Sequence, residues 1–269
     1  MKTLNSLFKQ VFANGLREYG YIKIKGRQPY FARMIGDEIV QVITYENVWC
    51  GDTRGYKAFG IFGGGATVYR ETINLNRSPR QNNEWLNDLS EFYVNKDPKN
   101  FDNDYRVSLM KFLYNPDDEE SIINAFEEAL DKTKMLMLPV FDGITNLYDF
   151  VEFYEVFQES SLFAPDYVNG DFDKLPSAEG LLYIKTDNHD DFIERYRERL
   201  SIKKVLIEKG RSLWKYEDYV KTLEEGRIER IKKRDAIYQN PEIYEKAQIE
   251  LQKRKESNIK ILRSYGLEI

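Results

Sequence analysis

The stretch YFARMIGDEIVQVITYENVW, residues 30–49, decides the fold. Two runs rich in β-branched and aromatic residues flank Gly36-Asp37, and a Gly-Asp pair in that position is typical of a tight type II′ hairpin. We therefore expect Ile35 to pair with Glu38. Both faces of the hairpin would carry apolar residues, so we expect it to lie inside an antiparallel sheet.

The segment before this hairpin predicts an amphipathic helix of about four turns. Its apolar residues recur at the spacing of one helical face: Leu4, Leu7, Phe8, Val11 and Phe12. Gly20 stands where such a helix would end. We expect the helix to cover one side of the sheet.

After the hairpin comes GIFGGGATVY, residues 60–69, which has the skeleton of a phosphate-binding loop, G-x-x-x-x-G-K-[ST]. Ala66 occupies the lysine position, so the charge that would meet the phosphates is missing. The residues that follow Gly65 are β-branched and aromatic, whereas a phosphate-binding loop needs a helix there. We therefore predict a second hairpin, connected by the glycines at 63–65, and no nucleotide site.

The middle of the chain begins with a polar stretch that predicts loop with one short helix, followed by a strand and two helices. A short helix is expected around Glu84–Tyr93, and a strand within RVSLMKFLY, residues 106–114. Asn115-Pro116 suits the N-cap and first position of a helix, which Pro139 would end. Another helix is expected from about Thr145 to Phe157.

Three of these pieces resemble a known family: the leading amphipathic helix, the strand ending in VQVITYE (residues 40–46), and LPVFDGITNLYDFVEFY (residues 138–154). The resemblance is to the uncharacterised bacterial family catalogued as domain of unknown function 4304, over roughly residues 5–158. It implies a small α+β domain in a bacterial protein, and it transfers no catalytic residues.

Beyond residue 160 the chain predicts a mainly helical extension, residues 161–269, attached to an α+β domain of residues 1–160. Asn240-Pro241 would start a helix that runs to about Tyr265. We expect this helix to form an antiparallel pair with the one before it, Trp214 to Tyr238. The fold class is therefore α+β, with an N-terminal helix on an antiparallel sheet of hairpins, followed by helices and a helical C-terminal extension.

The rare residues exclude several classes of site. Cys50 is the single cysteine and His189 the single histidine, so a disulfide framework and the usual zinc sites lack their ligands. A reducing cytoplasm is the expected location. No apolar run reaches the roughly 18 residues of a membrane span. We expect no membrane association and no cofactor.

Charge is unevenly distributed along the chain. Residues 81–190 carry 24 acidic and 8 basic residues, whereas the whole chain has a net charge of −5. In this acidic part, two groups approach the patterns of a calcium loop and a magnesium pair: Asn169, Asp171, Asp173 and Glu179, and Asp102 with Asp104. The calcium loop lacks its glycine, and chance pairs are expected among abundant carboxylates, so solvated acidic loops are the favoured interpretation.

Basic clusters occur in RIERIKKRD, residues 227–235, and QKRKESNIKILR, residues 252–263. Acidic residues interleave with basic ones in this part of the chain, in positions that favour i,i+4 pairs on an exposed helix. Nucleic-acid binding needs basic residues gathered on one face. Nucleic acid is therefore not the expected partner.

One stretch, YENVWCGDTRGYK, residues 45–57, holds the candidate partner-binding residues Trp49, Arg54 and Tyr56. They would lie in a loop between two strands, and Trp, Tyr and Arg are the residue types that most often anchor interfaces. The alternative for this loop is that it packs against the core.

The sequence contains no arrangement typical of a catalytic site. We therefore predict a non-enzymatic cytoplasmic interaction or regulatory protein with a protein partner, of which an immunity-like protein is one version. The alternative is a carboxylate-dependent metal enzyme that acts on phosphate esters or nucleic acid. Such an enzyme would need three or more carboxylates converging in one pocket.

Overall fold

The structure is a computed structural model of the chain. It describes residues 2–49, 51, 55–70, 72–78, 86–89, 92 and 110–153, and in the C-terminal part residues 217–218, 221, 224–226, 228–229, 232 and 239–269.

An antiparallel sheet forms the centre of the described fold. Its strands are β1 (Ile22–Lys23), β2 (Phe31–Ile35), β3 (Ile39–Val48), β4 (Lys57–Thr67), β5 (Leu86–Asp88) and β6 (Phe112–Tyr114). The spatial order is β1-β2-β3-β4-β5, and β6 pairs with β4 next to β5. The helices are α1 (Leu4–Leu16), α2 (Glu119–Leu136), α3 (Leu138–Asp142), α4 (Leu147–Phe153) and α5 (Pro241–Ser264). The predicted α+β class is confirmed.

The first face of the sheet is covered by the helices α1 to α4. Phe8 of α1 lies against Phe31 of β2, with ring centroids 5.7 Å apart. Phe126 of α2 lies against Phe59 of β4 at 4.4 Å. The predicted face of the first helix is confirmed, since Leu7, Phe8 and Phe12 are fully buried.

The central hairpin differs from the predicted register by one residue. Ile35 pairs with Ile39, so the turn comprises Gly36, Asp37 and Glu38. In this register the apolar side chains of β2 and β3 lie opposite one another on both faces. A two-residue turn would have set the Glu38 carboxylate beside Ile35, and a slip of one residue moves every side chain relative to its partner.

The prediction for the three glycines is wrong. β4 runs unbroken through them and pairs with β3 along its whole length, so they lie within a strand and connect no hairpin. They permit a close approach of helices to the sheet. A Cβ on Gly63 would overlap the Met137 sulfur, and one on Gly65 would lie 2.8 Å from the Phe150 ring. Because the strand continues to Thr67, the backbone does not form a phosphate-binding loop.

Three boundaries in the middle of the chain also differ from the prediction. Leu86–Asp88, expected within a helix, forms β5, because pairing with β4 outweighs local helix propensity. α2 begins after Asp118, whose side chain caps it, whereas Asn115 closes a turn before the helix. α2 ends at Leu136, and Pro139 lies in the first turn of α3.

α5 covers the second face of the sheet, although the sequence predicted cover on one side only. The helix begins at Pro241 as predicted, because the Asn240 side chain accepts hydrogen bonds from the Glu242 and Ile243 amides. It packs against the second face through a core of buried apolar side chains, which includes Ala247, Leu251 and Leu262 of α5 and Val40, Val42 and Ala66 of the sheet.

One buried amide fixes α5 to the segment that follows β4. The Asn258 side chain accepts a hydrogen bond from the Ile73 amide (3.1 Å) and donates to the carbonyl oxygens of Val68 (2.9 Å) and Arg70 (2.7 Å). Asn258 is 1% exposed. These three bonds pair backbone groups that lie under the helix.

The predicted antiparallel pair of C-terminal helices falls largely outside the described residues. Two of the side chains that it was expected to bury, Ile228 and Tyr244, are 40% and 36% exposed. α5 instead uses its apolar stripe on the sheet. The domain boundary at residue 160 stays a prediction.

Candidate partner-binding surface

The loop between β3 and β4 carries two of the three candidate residues. β3 ends at Val48 and β4 begins at Lys57, so Trp49 and Tyr56 lie between the two strands, as predicted. Trp49 is 80% exposed and Tyr56 is 52% exposed. Trp49 therefore does not pack against the core, whereas the alternative for the loop as a whole falls partly on residues outside the described ones. Arg54 lies outside the described residues.

The exposed Trp49 ring lies near Gly51 and Lys111. A Cβ built on Gly51 would come within 3.9 Å of the ring, so the ring lies near that stretch of backbone. Gly51 and Gly55 have φ of 78° and 82°, a left-handed conformation that favours glycine. The Lys111 ammonium lies 5.9 Å from the centre of the Trp49 ring. Such a cation–π contact contributes about 0.5–1 kcal/mol at an exposed site.

Strand pairing brings a third exposed apolar side chain to the same end of the sheet. Val48 pairs with Ala58, and Ala58 pairs with Leu113 of β6. Val48 and Ala58 are buried, whereas Leu113 is 50% exposed. We call the resulting set the Trp49 surface; its members are Trp49, Tyr56, Lys111 and Leu113.

The charged member of the Trp49 surface is a cation, Lys111, which lies over Trp49. Lys111 forms no ion pair in the part of the chain that the structure describes. Lys57 pairs with Tyr114, so its side chain points to the opposite face of the sheet.

Sequence reasoning missed Lys111 and Leu113, because only the pairing of β4 with β6 brings them near the loop. One signal was present in the sequence KFLY. Successive side chains of a strand point to opposite faces. Phe112 and Tyr114 are buried, so Leu113 between them points to the other face, where it is half exposed.

A partly buried polar cluster joins the hairpin to α3. Arg33 donates to the Gln41 side chain (2.7 Å) and to the Asp142 carboxylate (2.6 Å), and Gln41 donates to the carbonyl oxygen of Phe141 (2.9 Å). The guanidinium lies 4.7 Å from the centre of the Tyr21 ring, and burial raises the pKa of Tyr21 above its ordinary value. These contacts link β2, β3 and α3, and we assign the cluster a structural role.

The predicted basic cluster at residues 252–263 has some of its charges paired within the fold. Arg254 pairs with Glu250 at 3.0 Å, and Lys255 pairs with Asp37 of the hairpin turn at 2.6 Å. The hydrogen bond from Lys255 holds the pKa of Asp37 below its ordinary value. Lys255 thereby connects α5 to the central hairpin.

The carboxylates and amide considered for the metal-enzyme alternative lie outside the described part of the chain: Asp102, Asp104, Asn169, Asp171, Asp173 and Glu179. The single histidine, His189, lies outside it as well. Among the residues that are described, no three His, Cys, Asp or Glu side chains converge as metal ligands would. That alternative stays a prediction.

None of the described helices combines the length and the hydropathy that a membrane span requires. Comparison of the chain with protein-family models, with curated proteins and with solved structures finds no match. The resemblance to domain of unknown function 4304 stays a prediction and carries no argument about function.

Proposed function

We propose that the chain is a non-enzymatic interaction or regulatory protein of the bacterial cytoplasm that holds a protein partner through the Trp49 surface. The observation that carries this proposal is the 80% exposure of Trp49. Phe8, Phe59 and Phe126, by contrast, are fully buried in the core. Trp49 instead faces solvent next to two other exposed apolar side chains.

Covering the Trp49 side chain would contribute enough free energy of binding to anchor a partner. A fully covered aromatic side chain buries roughly 150–250 Å². At about 25 cal/mol per Å², covering most of the Trp49 side chain would contribute about 4 kcal/mol.

An immunity-like protein, which blocks a target by binding to it, is the version of this proposal that suits the acidic middle of the chain. On α2, Glu127, Glu128 and Asp131 are exposed. A second contact through these carboxylates would add electrostatic complementarity to a basic target. The anchor remains the Trp49 surface.

Affinity capture from a bacterial lysate tests the proposal with three chains: the wild type, Trp49→Ala and Ile249→Ala. Ile249 is a matched control, because it is 50% exposed on α5. We expect the wild type and Ile249→Ala to retain the same protein, and Trp49→Ala to lose it. Both variants should change the free energy of unfolding by less than about 0.5 kcal/mol, as expected for surface sites.

Equal retention of that protein by Trp49→Ala would contradict the proposal. So would a loss of retention that Ile249→Ala shares, because the loss would then have no relation to the Trp49 surface. The unfolding measurement separates a loss of binding from a loss of folded protein.

A further inference from the structure

We draw no further inference here: the strongest candidate, the cationic surface patch on the flank of α1 and β1 where Lys9 and Lys23 lie close to each other, carries nothing, because nothing in the structure shows what covers it.

Discussion

Gly63 marks one of the closest approaches between the sheet and its helices. It lies in the middle of β4, where a Cβ would overlap the Met137 sulfur and come within 3.2 Å of the Phe141 ring. Met137 and Phe141 are fully buried and cannot move into solvent. The missing side chain at Gly63 is therefore a requirement of packing.

Gly63→Ala should destabilise the protein by about 1–3 kcal/mol, the usual cost of forcing extra atoms into a packed core. Chemical denaturation measures the change. The matched test is a double-mutant cycle with Met137→Ala, which vacates the space that the new methyl group needs. The double variant should lose clearly less than the sum of the two single losses. Simple additivity would show that Gly63 and Met137 do not share the space.

Single residues explain both a correct prediction and a wrong one for this segment. The absence of a lysine at Ala66 argued against a phosphate-binding loop, and the strand geometry agrees. The glycines suggested a turn, because glycine is common in turns. Their role became visible only with Met137 and Phe150, which approach them from positions more than 70 residues away along the chain. The local sequence gives no indication of such a contact.

Among the elements, α1 and α5 followed most directly from the sequence. Their apolar spacing and, for α5, the Asn240-Pro241 start are local signals, and both helices formed as expected. The docking of α5 on the second face of the sheet was not predictable in this way. The docking depends on whether the apolar side chains of α5 pack against a neighbouring helix or against the sheet.

α1 should contribute heavily to stability, because Phe8 and Phe12 are fully buried between the sheet and α2. Replacement of either by alanine should cost roughly 3–5 kcal/mol. Thermal unfolding of Phe8→Ala and Phe12→Ala measures the loss, with Lys2→Ala as an exposed control near the same helix. A fall in midpoint of only a degree or two in both phenylalanine variants would show that α1 lies outside the cooperative core.

Asn258 tests whether α5 belongs to the same cooperative unit as the sheet. Asn258→Ala removes three buried hydrogen bonds and leaves backbone groups of Val68, Arg70 and Ile73 without those partners, which should cost roughly 3 kcal/mol. Ser257→Ala, at the exposed neighbouring position, should change stability by less than about 0.5 kcal/mol. Equal stability of the two variants in denaturant would contradict the docking of α5.

At the scale of the whole molecule, the described fold is a sheet with apolar cores on both faces. This arrangement leaves the Trp49 surface at one end of the sheet, where β3 and β4 meet their loop beside β6. Residue type alone singled out Trp49 and Tyr56 as candidates. The two other members that define the chemistry, Lys111 and Leu113, required the pairing of β4 with β6, a contact between strands about 50 residues apart.

Hydrogen exchange of the full chain, alone and with the protein that it retains in affinity capture, tests most directly whether the Trp49 surface receives the partner. We predict slower amide exchange at residues 47–57 and 110–114 in the complex, because a bound segment would exclude water from both stretches. Residues 241–250 of α5, which include the control position Ile249, should exchange at the same rate in both states. Unchanged exchange at residues 47–57, with protection confined to other parts of the chain such as α2, would contradict the assignment of this surface.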